Sequence, residues 1–158
     1  MICKRQVCCF SGHRIIPKEE LQKIEAAIEE TVIELISHGV IFFGNGGALG
    51  FDQLAAETVL RLKEKYPHIK LIMVLPCPPE QQSLKWSENQ KQRYFRILEQ
   101  ADKVRVLLPK YTNSCMLERN RHLVDNSAYL ICYLRQNSGG TFYTVNYAKQ
   151  NGLKILEI

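Results

Sequence analysis

Four groups of residues in this 158-residue chain could do chemistry. Ser11, Gly12, His13 and Arg14 follow one short apolar run, and Gly44, Gly46, Gly47 and Gly50 follow another and lead to Asp52. Arg119 and Asn120, with Arg121 beside them, sit in a polar stretch, and Gly139, Gly140 and Thr141 open the last helical pattern. Glycines between a strand and a helix let backbone amides approach a phosphate and aim the positive end of the helix at it. The same glycines would serve a tight connection that needs positive backbone angles, so both readings stand at this level. If Gly47 admits a phosphate, a valine there should abolish binding and leave the fold intact. A guanidinium grips phosphate or carboxylate through two parallel hydrogen bonds, which makes Arg14, Arg119 and Arg121 the candidate anion contacts. The competing role is a surface ion pair, and Arg121 with Asp125 has the spacing for one.

His13 titrates near neutral pH and could be an acid, a base or a hydrogen-bonding fixture of its turn. Asp52, at a helix start, could cap that helix or, like Asn120, bond ribose hydroxyls. Glu57, Glu118 and Asp125 are the acids that could stabilise a ribosyl cation or activate water. Trp86 and Tyr111 could stack on a base or pack in the core.

Several chemistries are disfavoured. A dinucleotide fingerprint wants G-x-G-x-x-G after the first strand, whereas Gly44, Gly46 and Gly50 follow the second. No G-K-[ST] closes the glycine run and no G-x-S-x-G elbow is present, against ATPase and hydrolase chemistry of those types. The six cysteines include no C-x-x-C pair, and Cys8, Cys9 and Cys132 lie in apolar runs, so reduced structural thiols are expected and no metal site.

These residues need elements to position them. Hydrophobic residues at 46% and charged residues at 23% are ordinary for a globular protein, and the length suits one domain over residues 1–158. No apolar run approaches the ~20 residues of a membrane span and no signal peptide is evident, so no membrane association and a cytoplasmic location are expected. The net charge of +5 is uneven: residues 85–121 hold nine Lys/Arg against four Asp/Glu, and the remainder holds twelve of each. An anion would be drawn to that stretch.

Short β-branched or aromatic runs at 6–10, 40–43, 70–75, 103–108, 129–133 and 154–158 alternate with segments of helical period, the pattern of a parallel sheet covered by helices. The first helix has Pro17 in its first turn, Leu21, Ile24, Ile28 and Leu35 on one face, and Gly39 at its end. Further helices are expected over 51–66, over 87–101 with Ser87 and Gln90 at capping-box spacing, over 115–126, and from Thr141 to Gly152. In such a fold the strand-to-helix loops gather along the carboxyl edge of the sheet, where ligands bind at the point of strand-order reversal. All four groups fall in or just after those loops.

Taken together, Ser11-Gly12-His13-Arg14, the run from Gly46 to Asp52 with Ala55-Ala56-Glu57, Cys115-Met116 with Arg119-Asn120-Arg121, and Gly139-Gly140-Thr141 resemble the YpsA-like family of bacterial proteins. That family belongs to the SLOG superfamily, with DNA-processing protein A and the LOG phosphoribohydrolases. The resemblance implies an α/β Rossmann-like three-layer sandwich with a mostly parallel six-stranded sheet of order 3-2-1-4-5-6. It further implies a nucleotide-derived small ligand and a homodimer. LOG enzymes carry P-G-G-x-G-T-x-x-E, and Thr144 stands where that glutamate would be. Three functions follow as expectations: a binding or sensor domain for a nucleotide-like molecule, an N-glycoside hydrolase or transferase acting on a nucleotide, and single-stranded nucleic-acid binding through residues 85–121.

Overall fold

A computed structural model describes residues 2–158; Met1, inside the expected domain, lies outside them. Six strands form one sheet: β1 (Val7–Gly12), β2 (Phe42–Asn45), β3 (Lys70–Leu75), β4 (Lys103–Val106), β5 (Tyr129–Tyr133) and β6 (Lys154–Glu157). Every pairing is parallel. The helices are α1 (Leu21–Ser37), α2 (Phe51–Leu62), the single turn α3 (Pro79–Gln82), α4 (Glu88–Gln100), α5 (Cys115–Asp125) and α6 (Gly140–Gln150).

The α/β class matches the sequence expectation, and the strand order corrects it. The sheet runs β4-β3-β2-β1-β5-β6, so β4 extends the first half of the sheet and β5 takes the place beside β1. Asp102 supplies the local reason. Its backbone N–H donates to the Leu71 carbonyl at 3.0 Å, and its carboxylate accepts from the Leu71 N–H at 2.8 Å and from Lys63 Nζ at 2.6 Å. These bonds fasten the start of β4 to β3.

Right-handed crossovers running outward from β1 to β4 put α1, α2 and α4 on one face, where Ile24, Ile28, Val59 and Ile97 meet Phe10, Phe43 and Leu71 in the larger core. The return from β4 to β5 puts α5 on the other face and the step from β5 to β6 adds α6 there, where Leu123, Val124, Val145 and Ala148 cover Cys9, Leu130 and Cys132. Gly44 lets α5 come down on the sheet, because a Cβ there would lie 2.9 Å from Leu123 Cδ2.

The first helix departs slightly from the expectation. A short 3-10 turn, Lys18–Glu20, precedes it, Leu21 is 40% exposed, and Gly39 ends the helix at φ +93°. The Ser87–Gln90 capping box forms, with Gln90 N–H donating to Ser87 Oγ at 3.2 Å and Ser87 N–H donating to Gln90 Oε1 at 2.9 Å. The turn α3, with Pro79 at its first position, was not anticipated. No helix among the described residues is long and apolar enough to cross a membrane.

Candidate functional site

The sheet order reverses between β1 and β5, whose carboxyl ends lie side by side with Ser11 opposite Cys132 and Gly12 opposite Tyr133. The loops leaving these strands therefore diverge to opposite faces and leave a crevice between them. His13 spans it: its Nε2 accepts from the Arg135 N–H at 2.8 Å, and its ring meets Tyr133 edge-on at 5.5 Å. Partial burial, reinforced by the Arg135 charge, lowers the His13 pKa and so favours the neutral ring, the form that can accept at Nε2. His13 is thus a fixture that joins the two loops.

A cavity of about 340 Å³ opens at this point. Ser11, Gly12, His13 and Arg14 line one side, and Gly139, Gly140 and Thr141 line another. Asp52 reaches it from the first turn of α2, and Arg119 and Asn120 from α5. Residues distant in sequence meet here, as expected for loops on one sheet edge.

Gly44, Gly46, Gly47 and Gly50 are not among the lining residues. They pack against the protein itself. A Cβ on Gly46 would collide with the Arg119 guanidinium, one on Gly47 would lie 2.9 Å from the Tyr94 ring, and one on Gly50 would overlap the Arg14 carbonyl. Gly47 and Gly50 also hold φ at +73° and +80°, where side chains are disfavoured. A valine at Gly47 would strain the fold, contrary to the expectation of an intact one.

Four buried side chains hold this turn. Asn45 Oδ1 accepts from the Gly47 N–H at 2.8 Å while its Nδ2 donates to the Asp52 carbonyl at 2.7 Å. Gln53 Nε2 donates to the Gly47 carbonyl at 3.1 Å, and Gln82 Nε2 to the Gly46 carbonyl at 3.2 Å. Arg119, only 3% exposed, donates through Nη1 to the same Gly46 carbonyl and through Nε to Asn120 Oδ1 at 2.9 Å. A buried guanidinium with its donors engaged is an architectural element first. Sequence reasoning missed Asn45, Gln53 and Gln82. Asn45 was legible as an amide next to the paired glycines, whereas Gln82 comes from a separate loop and left no local signal.

Asp52 is the acid of the cavity. It is 6% exposed, its Oδ1 has no hydrogen-bond partner, and burial pushes its pKa up to about 6 against the opposing pull of Arg119, the Ala48 N–H and Arg14. Buried polar atoms almost always have a partner, so the unpartnered Oδ1 leaves this cavity-lining carboxyl incompletely satisfied.

Glu57, Glu118 and Asp125, the acids considered for catalysis, lie elsewhere. Glu57 accepts from Nε and Nη2 of Arg93 in a bidentate ion pair, Glu118 accepts from Ser114 Oγ at 3.0 Å, and Asp125 accepts from the Tyr147 hydroxyl at 2.7 Å. Arg121 does not pair with Asp125: its Nε donates to the Tyr143 hydroxyl at 2.8 Å and its guanidinium lies over that ring. Thr144 turns back onto its own helix, donating to the Gly140 carbonyl one turn earlier at 2.8 Å.

The basic stretch divides among separate surfaces. Lys85 stands in a groove next to the cavity, Arg96 lines a hollow between α2 and α4, and Lys103 and Arg105 border the opposite sheet face.

The fold and the switch-point crevice define a parallel α/β domain of Rossmann type. The model of the YspA SLOG family matches residues 12–155, and the chain belongs to that family. It is 35% identical over 130 residues to a UPF0398 protein of Halalkalibacterium halodurans, covering 80% of this chain and 68% of that one. It is 34% identical over 143 residues to the SPbeta prophage-derived protein YoqJ of Bacillus subtilis, covering 83% and 81%. Among solved structures it resembles DNA processing protein A from Helicobacter pylori, which has a single-stranded DNA binding mode, with TM-score 0.69 and 20% identity over 98% of this chain and 65% of that one. The Streptococcus pneumoniae protein of the same name gives TM-score 0.68 and 16% identity over 95% and 49%. The chain thus spans about two thirds and one half of these two structures, and the likeness is one of fold.

Proposed function

We propose that the switch-point cavity binds a nucleotide-derived small molecule through its phosphate and ribose. The observation that carries this is the incompletely satisfied Asp52 carboxyl lining the same cavity as the start of α6. Gly139 adopts φ +92°, a conformation that calls for glycine. Gly140 shows no such constraint, and a Cβ there would meet nothing within 4 Å. The fold has no use for glycine at 140, while a ligand at the helix start would.

In this reading a phosphate sits against the amino end of α6, neutralised by the Arg14 guanidinium, which forms no salt bridge among the described residues. A ribose hydroxyl donates to the Asp52 carboxylate, and the Asn120 amide bonds a second hydroxyl. Of the two glycine turns that sequence reasoning offered to a phosphate, this reading keeps Gly139, Gly140 and Thr141 and drops Gly46, Gly47 and Gly50. Calorimetric titration with AMP, GMP, CMP and UMP tests this: at least one should bind and inorganic phosphate should compete, whereas failure of all four would contradict it.

A second reading, cleavage of a nucleotide N-glycosidic bond, has one observation in its favour. A carboxyl with a pKa near 6 in a ligand cavity can activate water near neutral pH, and Asp52 is that carboxyl. Release of free base from a bound nucleoside monophosphate, lost in Asp52→Asn, would support it; recovery of intact nucleotide would exclude it.

A further inference from the structure

A second groove, of about 600 Å³, adjoins the cavity and shares Arg14 and Met116 with it as a common wall. Its other lining residues include Leu84, Lys85, Trp86 and Tyr111. Leu84 is 69% exposed and Tyr111 52%, a cost in apolar surface that the fold does not recover internally. The Trp86 ring is nevertheless held. Trp86 meets Tyr94 edge-on at 5.0 Å, and the Tyr94 hydroxyl is fixed to Gln82. The Tyr111 N–H donates to Gln81 Oε1 at 2.6 Å, which pins that residue's backbone to α3. A wall containing the anchored Trp86 indole and the exposed Tyr111 ring beside a lysine suits a planar heterocycle attached to an anion.

From this continuity we infer that the groove is a subsite for a second nucleoside, so that the ligand class is two nucleosides joined through phosphate, with the bridge at Arg14. The inference rests on the nucleotide reading of the first cavity. The hollow on the other side of Arg14, between α1 and α4, is a poorer candidate: no aromatic residue lines it, and its Arg93 is already paired with Glu57.

Trp86 is the only tryptophan in the chain, so its emission reports on this groove. The test titrates the protein with AMP, with the phosphodiester ApA and with the pyrophosphate-linked diadenosine diphosphate, and repeats the set in the guanine series. Affinity is read by calorimetry and stacking by Trp86 fluorescence. At least one two-nucleoside compound should bind ten-fold or more tightly than its mononucleotide and quench Trp86, while the mononucleotide leaves emission unchanged. Tyr111→Ala, at an exposed position, should remove that advantage and leave mononucleotide affinity as it was. Preference for ApA would identify a strand fragment as the ligand, and preference for the diphosphate a pyrophosphate-bridged compound; either supports the subsite. Equal affinities with unaltered emission, or an advantage that survives Tyr111→Ala, would overturn the subsite alone. Binding by none of the compounds would overturn the nucleotide reading of the first cavity and the subsite together.

Discussion

Two glycine-rich turns lead into helices at the carboxyl edge of the sheet. In the turn after β2, a side chain at Gly46 would strike Arg119, at Gly47 would press on Tyr94, and at Gly50 would overlap the Arg14 carbonyl. In the turn before α6, side chains at Gly139 and Gly140 would meet nothing within 4 Å. The first turn uses its glycines to let the chain close on itself, with Asn45, Gln53, Gln82 and Arg119 occupying its carbonyls and amide. The second leaves a helix start open to the cavity. A glycine run at a strand–helix junction therefore does not by itself mark a ligand site; what separates the two cases is whether the space beside the glycine is already filled.

Substitutions at the two turns should behave in opposite ways. The largest effect is expected at Gly50, where alanine combines a positive φ with a backbone clash. Gly50→Ala should cost about 3 kcal/mol and lower the melting temperature by about 10 °C in calorimetry. A loss under about 1 kcal/mol would mean that the turn is not closed as described.

Arg119→Met should come next, at about 2 kcal/mol, since it strips Asn120 of its donor and Asp52 of a neighbouring positive charge. Because Arg119 draws the Asp52 pKa down, its removal makes an ionised Asp52 more costly. The deficit measured by urea denaturation should accordingly be greater at pH 8 than at pH 5.

Asp52→Asn should move stability the other way. The folded pKa of about 6 exceeds the ordinary 3.8, so folding takes up a proton between those values. The favourable contribution is complete below about pH 4 and is lost as pH rises through about 6. Removing the charge should therefore stabilise the protein by about 1 to 2 kcal/mol at pH 8 and by nothing below pH 4, while weakening the ligand that bonds this carboxylate. Equal stability of the two proteins at pH 8 would indicate a solvated carboxylate.

The smallest effect on stability is expected at Gly140, where alanine should change it by no more than about 0.5 kcal/mol. Affinity for a bound nucleotide should nonetheless fall at least ten-fold in calorimetry. Loss of stability with unchanged affinity would reverse the contrast between the turns.

The class of fold was readable because strand runs, helical periods and punctuating residues such as Pro17, Gly39 and the Ser87–Gln90 box are local signals. The strand order was not. Whether β4 returns to β1 or adds outside β3 depends on Asp102 finding the Leu71 backbone, a contact across 31 residues of chain. For the site, segments 11–14 and 139–141 were recognisable as loop chemistry, and the structure brings them to one cavity. The burial of Arg119 was not legible, because a polar helix looks solvated until the carbonyl it serves, Gly46, is known. Asp52 was read as a cap or a ribose contact; its unpartnered oxygen and raised pKa are products of tertiary enclosure alone.

The proposed site for an anionic nucleotide-derived ligand is the crevice between β1 and β5. Amide chemical-shift mapping by NMR, with the protein titrated against the nucleoside monophosphates, addresses it most directly. The perturbed amides should cluster at residues 11–14, 52, 119–120 and 138–141, and those of Gly46 and Gly47 should move little. Perturbations confined to another surface, such as the sheet face bordered by Lys103 and Arg105, or none with any of the four nucleotides, would contradict it.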